Sequence, residues 1–280
     1  MIQAIEFYEE LRRGSSLPLI VGADDGNKYV VKLNGAGDGV LSNVVEWVSS
    51  NWGRLLQIPV LQPIFMIVDA NLAEQAGDPE TRALLEKSVG INLATTYLPA
   101  ASSYSEKFAH GLDSFLTQRI FLFDLFLLNV DRTEMNPNMV FHDNKLWCLD
   151  YSAAMEIRNA INGHRSREYV LLKSVKQHPF YRPNLTAYGF INDLNEIHDN
   201  SVREIVDTLP AAWINALKLA NHEVEARRLI AERLILKKQN GIALHNRLDL
   251  LRVLKVETPE ASRLRSQENR KFFEQKYGKL

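Results

Sequence analysis

The chain has 280 residues, enough for one large or two ordinary domains, and 46% hydrophobic with 24% charged residues describes a folded chain with a real core. No uninterrupted apolar run reaches the roughly 18 residues that crossing a bilayer requires. Residues 1–13 alternate acids with apolar residues instead of setting a basic segment before an apolar one, and the single cysteine, Cys148, excludes an intramolecular disulfide framework and a thiolate metal cluster. With a net charge of −1, the balance argues against a generally basic nucleic-acid binder, so the expectation is a cytoplasmic protein without membrane or nucleic-acid partners.

Leu17 to Val21 and Lys28 to Leu33 flank Asp24-Asp25-Gly26-Asn27, which predicts a β-hairpin. A Gly-rich link, Asn34 to Gly39, leads to Leu41, Val44, Val45, Val48, Trp52 and Leu55, spaced for one apolar face of a helix that ends before Pro59. Val60 to Val68 then predicts a strand, Asp78 to Lys87 a helix and Gly90 to Leu98 a further strand. At Pro99 to Ser103 the residues become small and polar, which predicts a linker or hinge. Asp113 to Leu128 is apolar nearly all round, as a helix buried in a core would be. A dense loop, Asn129 to Asn138, precedes two short strands, Met139 to Phe141 and Lys145 to Leu149, and helical patterns recur at Ala226 to Lys238 and Ile242 to Leu254. Residues 221–280 carry 14 Lys and Arg against 8 Asp and Glu, and without interleaved aromatics they predict a helical extension with a solvated basic face rather than a nucleic-acid patch. The fold class is α+β.

Four features carry chemistry. Lys32 ends a strand, where a fixed backbone can aim an ammonium into a cleft. Gly14-Ser15-Ser16, before the first strand of the hairpin, offers N–H groups and two hydroxyls to phosphate oxygens. Asp131 and Asn136 stand five residues apart in the loop, the spacing that puts a proton acceptor near an attacking hydroxyl and an amide oxygen on a magnesium ion. Asp150 closes the set, a carboxylate at a strand end that, with Asn136, supplies the hard oxygen donors magnesium prefers. Each has a plainer reading, a solvated lysine or an Asx-rich turn, and only their order in the chain outweighs it. Cys148 reads as a packed thiol, Trp47 and Trp52 as core or cleft lining, and the seven histidines lack zinc-site spacing.

That order also resembles the HipA-like kinase domain family. The resemblance rests on Gly14-Ser15-Ser16 with Tyr29-Val30-Val31-Lys32, Gly90-Ile91-Asn92 with Tyr97-Leu98-Pro99, Asn129-Val130-Asp131-Arg132-Thr133 with Asn136-Pro137-Asn138, and Leu146-Trp147-Cys148-Leu149-Asp150. It runs from about Gly14 to Ala154, thins over Tyr169 to Leu172 and ends by about Leu209. It implies a two-lobed protein-kinase-like fold: a β-rich N-lobe over 1–98, a hinge over 99–105, a helical C-lobe over 106–220 and the basic extension after it. ATP and Mg2+ would lie between the lobes. Lys32 would neutralise phosphates, Asp131 would act as base, and Asn136 and Asp150 would bind magnesium. Asn138 is either a further metal ligand or the first residue of a strand. Glu46 either pairs with Lys32 or faces solvent, and Arg132 either meets substrate or caps the loop. Thr95 to Leu98, Tyr97 included, would form the adenine-pairing hinge. The implied acceptor is a hydroxyl, Ser or Thr of a protein, with a small antitoxin-like partner protein. The departures, Asp150-Tyr151-Ser152 for the usual Asp-Phe-Gly and the lack of a Gly-x-Gly-x-x-Gly loop, keep two alternatives open: a pseudokinase-type binding module, and a small-molecule or lipid phosphotransferase.

Overall fold

The computed structural model describes residues 1–11, 17–105, 111–164 and 167–255, so Gly14, Ser15 and Ser16 lie outside the described residues. Its N-terminal sheet contains β1 (Ile2–Glu10), β2 (Leu19–Ala23), β3 (Lys28–Lys32), β4 (Ile64–Val68) and β5 (Gly90–Thr96). Four antiparallel pairings in the order β1-β2-β3-β5-β4 curl the sheet until β4 meets β1 in parallel at Ile2↔Met66 and Gln3↔Ile67. The hairpin forms where the turn residues place it. β1 falls outside the expected strands, because register shifts at Ala4/Glu6 and Phe7/Glu9 break the strict period of two that marks a strand.

Helices α1 (Val40–Leu55), α2 (Ala70–Glu74) and α3 (Pro79–Lys87) complete this half. The Asp78 carboxylate caps α3 by accepting from Thr81 N–H at 2.9 Å. The link from β3 to α1 passes so close to α3 that a Cβ on Gly35 would lie 2.8 Å from Lys87 Cβ, which only glycine tolerates. Buried Asn92 fixes that link, accepting from Asn34 N–H at 2.8 Å while its own amide donates to Ser88 C=O.

The second half is built on α4 (Ser114–Leu127), the expected core helix, capped by Asp113 and wholly buried from Ile120 to Leu127. Around it pack α5 (Met155–Asn162), α6 (Glu168–Val175), α7 (Tyr188–Glu196), α8 (Asp199–Asp207), α9 (Ala211–Leu217), α10 (Glu223–Gln239) and α11 (Gly241–Val253). Each large apolar side chain fully buried here contributes about 1.5–3 kcal/mol. A small sheet of β6 (Ser102–Ser103), β7 (Met139–His142) and β8 (Lys145–Cys148) faces the cleft between the halves. No helix among the described residues is long and apolar enough to cross a membrane.

Three expectations change. The strand expected from Val60 begins at Ile64, because residues 59–63 cross to the other half, where Val60 bridges Cys148 and Cys148 N–H donates to Pro59 C=O at 2.7 Å. The expected linker carries a strand, with Ser102 opposite Phe141 and Ser103 opposite Val140. The described part of the basic extension is only partly a solvated face: Arg228, Arg252 and Lys255 are exposed. Ala226, Ile230, Leu234, Leu244, Leu248 and Leu251 are core residues, and four of its cations turn inward onto carbonyls that end earlier helices. Arg227 donates to Val206 and Leu209 C=O, Arg233 to Ala160 and Ile161, Lys238 to Ile197, and Arg247 to Leu125 and Phe126.

The halves are riveted behind α1. Trp47 stacks on Phe65 with centroids 3.9 Å apart and donates its Nε1–H to Ile205 C=O at 3.1 Å. Trp213, from α9, donates to Ile91 C=O at 2.8 Å and meets Phe65 edge-on. Trp47 is therefore inter-lobe packing, and Trp52, fully buried, is core.

Candidate active site

A cavity of about 780 Å³ opens between the halves, lined above by Ile20, Val30, Lys32 and Leu93 and below by Asp131, Asn136, Asn138, Met139 and Asp150. Its walls are apolar where β2, β3 and β5 face it, and its polar groups converge at one end. Lys32 Nζ lies 2.9 Å from Asp150 Oδ1 and 3.1 Å from Glu46 Oε2. Glu46 is buried on α1 and points inward, so it pairs with Lys32 rather than with solvent. The same oxygen accepts from Tyr151 N–H at 2.5 Å, which joins Lys32, α1 and the segment after Asp150.

Electrostatics follow from this packing. Burial opposes the charge on Lys32, but the Asp150 and Glu46 carboxylates outweigh it and hold its pKa above the usual lysine value. Burial likewise opposes ionisation of Asp150, yet Lys32 and Ser152 hold its carboxyl well below the ordinary range. For Glu46, burial wins, and its pKa is raised despite the lysine.

Asp150 adopts a left-handed backbone, φ 56°, uncommon for a residue with a side chain. Its Oδ1 takes three donors: Lys32 Nζ, Ser152 Oγ at 2.7 Å and Ser152 N–H at 3.2 Å. Asp131 is treated similarly. Its Oδ2 accepts from Asn136 Nδ2 at 2.9 Å and Asn138 Nδ2 at 3.1 Å. Each carboxylate thus has one oxygen held by the protein, and its other oxygen accepts no protein hydrogen bond among the described residues. Asn138 sits just ahead of β7 with φ 47°, and its C=O accepts from Leu149 N–H at 2.8 Å, so it is outside the strand.

Beneath the loop lies a sealed cluster. Arg132 has no exposed surface; its Nε donates to Asp124 Oδ2 at 2.6 Å and its Nη1 to the carbonyls of Pro137 and Asn138 at 3.0 and 2.6 Å. It holds the loop from inside and does not reach the cleft. Asn129 Nδ2 donates to Asp124 Oδ1 at 2.9 Å, and His178 Nε2 lies 2.9 Å from Asp124 Oδ2. His178 Nδ1 accepts from Phe180 N–H at 3.0 Å, which fixes the neutral tautomer with its proton on Nε2. Burial depresses the His178 pKa, and Asp124 offsets this only in part. Asp124 itself is held below the usual carboxylate range: burial opposes this, but Arg132 and His178 prevail.

The hinge differs from expectation. Tyr97 N–H already donates to Lys28 C=O at 3.0 Å. Antiparallel bonding alternates, so Thr95, opposite Val30 in the same register, also turns its N–H and C=O toward β3. All four residues of the expected stretch, Thr95 to Leu98, line the cavity, and within the strand the outward backbone groups belong to Thr96. Asp124, Asn129 and His178 are the residues the spacing did not single out; a lone acid inside an apolar helix was the available signal for Asp124. Cys148 is buried, and burial pushes its thiol up to about 11, which fits a packed residue.

These features describe a cleft with a lysine, a buried partner glutamate and two half-occupied carboxylates, an arrangement that suits a kinase-like phosphotransferase. A sequence model of the HipA-like kinase family matches residues 4–240, and the chain belongs to that family. The match reaches into α10, beyond the point near Leu209 where the motifs end. No curated protein matches the chain. Among solved structures, a Helicobacter pylori proinflammatory kinase, CtkA, is similar at 10% identity and TM-score 0.48, over 87% of this chain and 95% of that one. The Golgi casein kinase with Mn/ADP bound is similar at 12% identity and TM-score 0.39, over 91% and 74%. The family match and the chain's own topology define a two-lobed α+β kinase-like fold.

Kinases in general use ATP and a divalent metal, and the donor set here fits both. No group of three or more His, Cys, Asp or Glu side chains among the described residues is arranged as a metal cage. A carboxylate with two amide oxygens suits magnesium, which keeps several waters and shares its shell with substrate phosphates.

Proposed function

We propose that the protein is an ATP- and magnesium-dependent kinase that phosphorylates a hydroxyl, Ser or Thr of a protein. The observation that carries this reading is the convergence of Lys32, Asp131, Asn136 and Asp150 on one cavity. ATP would supply the phosphoryl group, and magnesium held by Asp150 with the amide oxygens of Asn136 and Asn138 would neutralise phosphate charge. Lys32, kept charged by two carboxylates, meets the phosphates. Asp131, its Oδ2 fixed by two amides, orients the acceptor hydroxyl and takes its proton at Oδ1. Val30, Leu93 and Ile20 provide an apolar slot for the base, with the outward backbone groups of Thr96 at its edge. Met135, 93% exposed beside Asp131, favours an acceptor with an apolar flank, as a protein segment offers and a small polar molecule does not. The reading includes a small partner protein and a cytoplasmic setting.

The test is purified protein with γ-labelled ATP and magnesium, incubated with its own cell extract and followed by mass spectrometry. Phosphoserine or phosphothreonine on protein is the expected product. Label only on a small molecule or lipid would move the acceptor class, and nucleotide bound without any turnover would favour the binding module.

A further inference from the structure

The residue that ties the cleft together from outside it is Arg158, on α5. Its guanidinium reaches three separate segments. Nε donates to Ser152 C=O at 2.7 Å, Nη1 to Asp38 Oδ2 at 2.6 Å and Nη2 to Ser42 Oγ at 3.0 Å. Ser152 follows Asp150 by two residues, Asp38 lies in the Gly-rich link after Lys32, and Ser42 is in the first turn of α1. The Arg158 side chain keeps only 16% of its surface exposed, so these bonds are partly shielded from water.

We propose that Arg158 is a positioning residue that aims Asp150 and couples that aim to the seating of α1 on the C-lobe. The segment from Asp150 to Ser152 is backbone-strained at its first residue and lacks regular structure until α5 begins at Met155. It is held at three points: Asp150 Oδ1 by Lys32 and Ser152, Tyr151 N–H by Glu46, and Ser152 C=O by Arg158. The first two restraints come from the Lys32–Glu46 pair, the lysine on β3 and the glutamate on α1. Arg158 grips Ser152 with one edge and the start of α1 with the other, so displacement of either loosens both. A planar guanidinium can span three acceptors in fixed directions, which an ammonium cannot do.

This rests on the reading of Asp150 as a metal ligand, and the experiment separates the two. Hydrogen exchange is followed without metal or nucleotide in the wild type, Arg158→Ala and Arg158→Lys. In Arg158→Ala, the Tyr151 and Ser152 amides are expected to exchange about tenfold faster or more, the loss of about one charge-assisted hydrogen bond, while amides of α4 keep wild-type rates. Arg158→Lys should fall between. In parallel, a fluorescent ATP analogue is titrated with and without magnesium. Arg158→Ala should weaken magnesium-supported binding about 10- to 100-fold, the usual cost of removing a partner behind a metal ligand, and leave metal-free binding at the wild-type level. Unchanged exchange at Tyr151 and Ser152 overturns the proposal. Faster exchange that extends equally through α4 also overturns it, because Arg158 would then serve overall stability. A wild type whose nucleotide binding ignores magnesium contradicts the role of Asp150, and the exchange rates then decide for Arg158 alone.

Discussion

Lys32, Glu46 and Asp150 form one ionic cluster, and Asp124 and Arg132, with the neutral His178, form another on the far side of the loop that carries Asp131. The two share their chemistry but not their surroundings. In the first, the lysine keeps 18% and Asp150 31% of its side-chain surface exposed, and Asp150 Oδ2 carries no protein donor among the described residues. In the second, all three side chains are sealed, and both Asp124 oxygens accept from within. Ionic groups at the cleft wall can exchange a protein partner for a ligand. Those beneath it cannot, so their role is to hold the Pro137 and Asn138 carbonyls, and through them the loop that carries Asp131.

The comparison breaks most severely at Asp124. Removing one partner of a buried pair leaves the other charge uncompensated and costs about 3–5 kcal/mol. Asp124→Ala is expected to lose stability on that scale in urea denaturation, with phosphoryl transfer falling as the loop loosens. Asp150→Ala should cost much less stability, because its partners can turn to water. If the two variants lose equal stability, the distinction between sealed and open clusters is wrong.

A smaller effect sharpens it. The folded His178 pKa lies below its unfolded value of about 6.5, so the unfolded chain takes up the proton first. The stability this contributes is therefore complete above about pH 6.5 and is lost as pH falls from there toward the depressed folded value, by at most about 1.4 kcal/mol per pH unit. Denaturation between pH 7.5 and 5.5 measures the slope, which His178→Gln should remove. Asp124 and Asp150, also depressed, add their own loss only as pH drops below about 4. A slope that survives in His178→Gln would assign it to other groups.

The cleft residues were legible in the sequence because their chain spacing is the one the proposed phosphotransfer would need: Asp131 with Asn136 in one loop, Asp150 after a short hairpin, Lys32 at a strand end. Strand and helix patterns placed most elements, from the β2–β3 hairpin to the nearly all-apolar α4. Residues that act by partnership across the chain were not legible. His178 lies 54 positions from Asp124, and Arg158 reaches back 120 to Asp38, distances over which no local pattern extends. Composition misled in the described part of the basic extension, since charge counts cannot show that Arg227, Arg233, Lys238 and Arg247 point inward at helix ends. Within the stretch Thr95 to Leu98 the sequence could not tell which backbone groups face outward, because that depends on strand pairing.

The most direct test of the central claim is transfer from γ-labelled ATP by the wild type, Asp131→Ala and Asp150→Ala, with nucleotide binding measured alongside. Wild-type protein should label a protein acceptor. Asp131→Ala should bind nucleotide normally yet lose transfer by about 100-fold or more, and Asp150→Ala should lose both transfer and magnesium-dependent binding. Transfer by Asp131→Ala at the wild-type rate would contradict the account.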